Sequence, residues 1–126
     1  MMGWDVSSNG LALVLSKDVP KMVDDYLGEE VNRFLAEYGL SPADISTWIC
    51  HPGGPKVLES MENAIGLPPE ALANSRNSMR ENGNMSSVSV LDVLRRTIAD
   101  SPPEGAFGVM ISMGPGFSFE LLLLSW

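Results

Sequence analysis

The chain has 126 residues, and its 8 Lys and Arg against 16 Asp and Glu give a net charge of −8. That length suits one domain, and 44% hydrophobic residues suffice for a core, which excludes a disordered chain or one that needs disulfide staples. Nucleic acid is excluded as the main partner: phosphate binding needs a basic stripe, and here the basic residues are scattered, with only Arg95 and Arg96 adjacent.

Cys50 is the single cysteine, so no intrachain disulfide and no Cys-rich metal site is possible. A reducing, cytoplasmic setting is expected. The apolar runs Leu11 to Leu15 and Leu121 to Leu124 are far shorter than the roughly 20 residues of a membrane span. The start, Met1-Met2-Gly3-Trp4-Asp5, lacks the basic region and apolar stretch of a signal peptide.

In chain order, Leu11 to Leu15 is a short apolar run, as in a strand buried on both faces. Pro20 then suits a first helical turn, and Met22, Val23, Tyr26, Leu27, Val31, Phe34, Leu35 and Tyr38 follow at helical spacing, with Gly39 as the stop. Ser41 to Asp44 reads as a one-turn helix start, and Thr47-Trp48-Ile49-Cys50 as a second strand. His51-Pro52-Gly53-Gly54-Pro55 breaks that strand. Val57, Leu58, Met61 and Ile65 resume a helical stripe, and Pro68-Pro69-Glu70 opens another helix through about Arg80. After a turn at Glu81 to Asn84, Met85, Val88, Leu91, Leu94 and Ile98 form one face of a further helix. Phe107 to Ser112 and Phe117 to Leu124 are strands joined by Met113 to Gly116, a hairpin-like connection.

Strands separated by helices favour a mixed, mostly parallel sheet with helices packed on it, the last two strands pairing antiparallel. The apolar Leu121 to Leu124 run predicts a C-terminal strand inside the assembly and away from a wet edge.

Three segments are candidates for chemistry. His51, the only histidine, follows a strand, and ligands of open α/β sheets gather beyond strand carboxyl ends. It reads either as a loop residue capping a turn or as a site group, with Gly53 and Gly54 letting backbone approach a ligand. Asn84, ahead of Ser86-Ser87, reads either as a helix N-cap or as an amide donor to a developing oxyanion. Gly114-Pro115-Gly116 is either a tight turn or a rigid loop beside a substrate. Cys50 and His51 do not form a nucleophilic pair, because neighbours in a strand point to opposite faces; Cys50 reads as a buried core residue.

In order and approximate spacing, His51-Pro52-Gly53-Gly54-Pro55, Gly83-Asn84-Met85-Ser86-Ser87 and Gly114-Pro115-Gly116 resemble segments of type III polyketide synthases, the chalcone and stilbene synthase-like enzymes of the thiolase superfamily. The first two are specific as a pair; the third alone is weak. The resemblance runs from about Leu11 to Leu124 and corresponds to the family's C-terminal half, with a start closer to bacterial than to plant members. It implies an α/β thiolase-like half-fold over residues 1–126, without the N-terminal half that carries the nucleophilic cysteine.

In that family a Cys–His–Asn triad condenses an acyl-CoA starter with malonyl-CoA by decarboxylative Claisen chemistry. The resemblance implies His51 and Asn84 as the catalytic histidine and asparagine. It also implies that Ser86 lines the elongation cavity, that Gly53, Gly54 and Lys56 run beside the CoA arm, and that Gly114, Pro115 and Gly116 shape the cyclisation cavity. Acyl-CoA and malonyl-CoA are the implied substrates. No metal or other cofactor is implied, and a homo-oligomer, such as a dimer, is expected, with the missing N-terminal half as a further partner. Two departures stand out. The nucleophilic cysteine has no counterpart here, and Ser112-Met113 precede Gly114 where plant enzymes have Gly-Phe. The isolated chain is therefore expected to be inactive. The alternatives are a ketoacyl-ACP synthase III-like half-domain of fatty-acid synthesis, and a non-catalytic half-fold acting as an association module through an exposed apolar face.

Overall fold

Val19, Val23, Leu27, Val31 and Leu35 recur every four residues and make the buried stripe of α1 (Val19–Ala36). This helix lies along α2 (Pro55–Ile65), which buries Val57, Leu58 and Met61. The two backbones come close at Gly28, where an added Cβ would stand 2.6 Å from the Ala64 carbonyl oxygen. Only glycine lets the two backbones meet there. The computed structural model describes residues 3–7, 10–14, 19–114 and 118–126.

A three-stranded sheet has the order β3 (Ile45–Cys50), β4 (Phe107–Gly114), β5 (Ser118–Ser125). β3 and β4 are parallel, because the chain between them crosses over through α2, α3 (Ala73–Asn82) and α4 (Ser87–Ala99). β4 and β5 are antiparallel across a short connection. Trp48, Cys50, Val109 and Ile111 face the α1–α2 layer. Ile49, between Trp48 and Cys50, faces the other way and packs with Val90 and Val93 of α4. Strand alternation thus divides the core between two helical layers.

Several expectations change. The first apolar strand, β2 (Gly10–Val14), pairs antiparallel with β1 (Gly3–Ser7) in a sheet of its own, so among the described residues parallel pairing is confined to β3 and β4. Among the described residues the C-terminal strand is an edge, not an interior strand. There β5 pairs only with β4, and Leu121 and Leu123 go to one helical layer and Leu124 to the other, leaving Leu122 exposed. The helix expected from Pro68 begins as a 3-10 turn (Pro69–Leu72) before α3. α4 carries two apolar stripes, and the buried one is not the one expected. Ser89, Val90, Val93 and Thr97 face inward, whereas Val88, Leu91 and Ile98 are each 55% exposed.

Candidate functional site

β3 delivers His51 to the carboxyl end of the sheet. The His51 N–H donates to the Ile111 carbonyl at 2.9 Å, continuing the β3–β4 ladder by one residue. Pro52, which has no N–H, then ends it, and the Gly53 N–H closes a turn onto the His51 carbonyl at 3.0 Å. The ladder thus carries strand geometry up to His51, at the carboxyl end of the sheet. The turn is closed by backbone groups. Burial lowers the pKa of the half-buried His51 ring below the ordinary histidine value. At neutral pH the ring is uncharged and presents one N–H and one lone pair.

Gly53 lies within van der Waals reach of the His51 ring, the Met113 methyl and Val57, since a Cβ there would meet these groups at 3.6–3.8 Å. Gly54 caps the start of α2, and Lys56 is exposed on its first turn.

Asn84 stands in the loop between α3 and α4. It is not the N-cap of α4; Ser86 occupies that position, without a side-chain cap bond. The Asn84 Oδ1 instead accepts the Ser86 N–H at 2.9 Å, an Asx turn that orients the carboxamide. Among the described residues nothing accepts from its Nδ2 group, and the residue is exposed. Ser86 has φ 55°, a left-handed backbone that costs about 1–3 kcal/mol for a non-glycine residue. The Ser89 hydroxyl holds the Met85 N–H at 2.6 Å from inside the helix. The loop is thus pinned before and after its strained residue.

The packing brings the two candidate segments to one end of the sheet. α4 ends beside the start of β3, where Thr97 and Asp100 line a groove with Ser46, Thr47 and Trp48. Further along, Ile49 meets Val93 and Val90. The helix therefore runs antiparallel to the strand. Its 13 residues and the strand's six have nearly the same length, about 20 Å each. The Asn84–Ser86 loop therefore lies toward the carboxyl end of β3, the end from which His51 follows. Gly114, three residues beyond the Ile111 that pairs with Cys50, extends past the same end. Pro115 and Gly116 lie outside the described residues.

Cys50 stays away from this constellation. It is fully buried against the α1–α2 layer, and burial, helped by the nearby Glu62 carboxylate, pushes its thiol up to about 12. Among the described residues no group of three or more His, Cys, Asp or Glu is arranged to hold a metal. No described helix is long and apolar enough to cross a membrane.

Residues 2–125 match the family described as chalcone and stilbene synthases, C-terminal domain. The chain belongs to that family. The 1,3,6,8-tetrahydroxynaphthalene synthase of Streptomyces peucetius subsp. caesius is 45% identical over 127 residues, covering 100% of this chain and 34% of that protein. The solved tetrahydroxynaphthalene synthase of Streptomyces coelicolor, described as a bacterial type III polyketide synthase, superposes with TM-score 0.92 at 32% identity, over 99% of this chain and 36% of that one. PKS-I of the brown alga Ectocarpus siliculosus gives 0.88 at 31%, over 98% and 35%. This chalcone and stilbene synthase domain thus has the thiolase-like fold of type III polyketide synthases, and it spans about a third of the length of the relatives it matches.

Sequence reasoning missed two groups that organise the domain. Ser75 is fully buried, and its hydroxyl donates to the Cys50 carbonyl at 2.7 Å. Glu62, nearly buried on α2, forms an ion pair with Arg76 of α3. Nothing in the polar run Asn74 to Asn77 marks Ser75 as interior; the only cue is a small hydroxyl residue where α3 passes the end of a strand.

Proposed function

We propose that the complete protein is an acyltransferase that extends an acyl-CoA starter with malonyl-CoA by decarboxylative Claisen condensation, with His51 and Asn84 acting together on the malonyl thioester. When the bond to the departing carboxylate breaks, CO2 leaves and its electron pair passes to the α-carbon and onto the thioester oxygen. A neutral imidazole N–H and a carboxamide N–H aimed at that oxygen stabilise the enolate; removing one such donor costs about 3–4 kcal/mol in the transition state. The enolate carbon then attacks the acyl group held as a cysteine thioester, forming a carbon–carbon bond and releasing the thiolate, which the His51 ring supports. The observation that carries this reading is Asn84 Oδ1 committed to the Ser86 N–H, which leaves only donor hydrogens to offer beyond the strand end that His51 leaves.

The nucleophile comes from protein outside these 126 residues. Cys50, the only cysteine, is buried and holds its proton. The exposed stripe of Val88, Leu91 and Ile98 is where further protein packs on this domain. Gly53, Gly54 and Lys56 flank the CoA arm, while Ser86, Gly114, Pro115 and Gly116 shape the cavity. A cytoplasmic homo-oligomer using CoA thioesters without a metal or other cofactor completes the reading.

The test is to assay the complete protein with an acyl-CoA starter and either malonyl-CoA or a malonyl-carrier protein. Polyketide formation from malonyl-CoA, abolished in His51→Ala, is expected; the 126-residue chain alone should form none. Exclusive use of the carrier-bound malonyl group would overturn the assignment in favour of fatty-acid initiation, and full activity in His51→Ala would overturn the site.

A further inference from the structure

The peptide joining Cys50 to His51 is held on both sides. Its N–H, from His51, faces β4 and bonds to Ile111. Its carbonyl faces the open edge of β3, where the described sheet has no further strand. A buried carbonyl without a partner is costly. The partner comes from a helix: Ser75 Oγ donates to this carbonyl at 2.7 Å, and the serine is fully buried.

The same helix leads to the other half of the site. α3 runs from Ala73 to Asn82, and Gly83 and Asn84 follow directly. From Ser75 to Asn82 is seven residues, about 10 Å along the axis. The far end of α3 is tied to α4 by Asn82 donating to Asp92 at 3.3 Å and by the Glu81–Arg96 ion pair at 2.6 Å. α3 is therefore a strut with one end on the His51 peptide and the other at the Asn84 loop. We propose that Ser75 is a positioning residue: its hydroxyl fixes α3 against the Cys50–His51 peptide and so sets the spacing between the His51 ring and the Asn84 carboxamide. For condensation this rests on the reading of those two residues as the catalytic pair.

The domain has one histidine, so the NMR signal of a ring Cε1–H belongs to His51 without assignment by elimination. In Ser75→Ala that signal and the Asn84 side-chain NH2 pair should both shift and broaden, while Ser75→Thr, which keeps the hydroxyl, should restore both. Ser75→Val matches threonine in volume without the hydroxyl; should the alanine variant not fold, the threonine–valine pair decides. Wild-type signals for both groups in the alanine or valine variant, or equal perturbation by threonine and valine, would overturn the proposal. In the complete protein, Ser75→Ala should lower kcat for condensation about 10- to 100-fold with KM for malonyl-CoA little changed, since small misplacements of reacting groups cost that much. A coupled NMR response in a protein that condenses nothing would support the strut and sink the polyketide reading. Condensation in the wild type with no NMR response in the variants would do the reverse.

Discussion

Replacing Asn84 by aspartate separates the two uses of its side chain. One carboxylate oxygen takes over the Oδ1 position and keeps accepting the Ser86 N–H, at 2.9 Å in the native turn. The strained Ser86 backbone and the start of α4 therefore stay in place, and stability should change by less than about 0.5 kcal/mol, the range of an exposed substitution. The other half of the side chain changes from an N–H donor to an anionic oxygen. Loss of the donor alone removes about 3–4 kcal/mol of transition-state stabilisation, or 10²–10³ in rate. The added charge stands near the growing enolate, and a repulsion of about 4 kcal/mol at 4 Å in partly screened surroundings works in the same direction. CO2 release from malonyl-CoA by the complete protein should thus fall at least about 100-fold, while the urea midpoint of the domain stays put. Asn84→Ala should lose the turn as well and cost about 1 kcal/mol of stability. If the aspartate variant remains folded and releases CO2 within threefold of the wild-type rate, the donor argument is wrong.

Other expectations follow from the same geometry. Fully buried, with its thiol pushed up to about 12, Cys50 keeps its proton at neutral pH. Iodoacetamide should leave it unlabelled until urea unfolds the chain, and equal labelling rates with and without urea would contradict its burial. Burial lowers the His51 pKa in the folded state, so below the ordinary value near 6.5 the unfolded chain binds the proton first. Stability should then fall as the pH drops from 7.5 to 5.5, by at most about 1.4 kcal/mol per pH unit for one proton. His51→Gln should flatten that part of the pH dependence of the urea midpoint; an unchanged slope would refute the assignment. At Gly108 an added Cβ would meet Thr47 Oγ1 at 2.4 Å, while that oxygen accepts the Trp126 Nε1–H at 3.0 Å. The stiff β-branched Thr47 side chain cannot turn aside without losing the bond. Gly108→Ala should cost about 2–3 kcal/mol in urea unfolding and markedly less in a Thr47→Ala background; strictly additive costs would show that the clash lies elsewhere.

The core of the fold is legible where one periodicity dominates. The apolar stripe of α1 and the strand at Thr47 to Cys50 read directly from the sequence, because burial against a single layer leaves a clear pattern. α4 misleads for the opposite reason. Val88, Leu91 and Ile98 form a better apolar stripe than Ser89, Val90, Val93 and Thr97, yet the second set is buried. Burial of serine and threonine is possible because Ser89 and Thr97 bond to neighbouring backbone groups, and such bonds leave no trace in a hydropathy pattern. β1 is missed because Gly3-Trp4-Asp5-Val6-Ser7 is short and polar, although Asn9-Gly10 after it is a strong hairpin signal. At the site, residue identity and order point to His51 and Asn84, but the element that spaces them, α3, has no apolar stripe to announce how it packs.

Condensation by this pair requires that the His51 ring and the Asn84 amide share one oxygen. A structure of the complete protein with a malonyl thioester analogue that cannot lose CO2 measures this directly. The thioester oxygen should lie within about 3.2 Å of both a His51 ring nitrogen and Asn84 Nδ2. An oxygen held by other groups, with either of these two nitrogens beyond hydrogen-bonding reach, would contradict it.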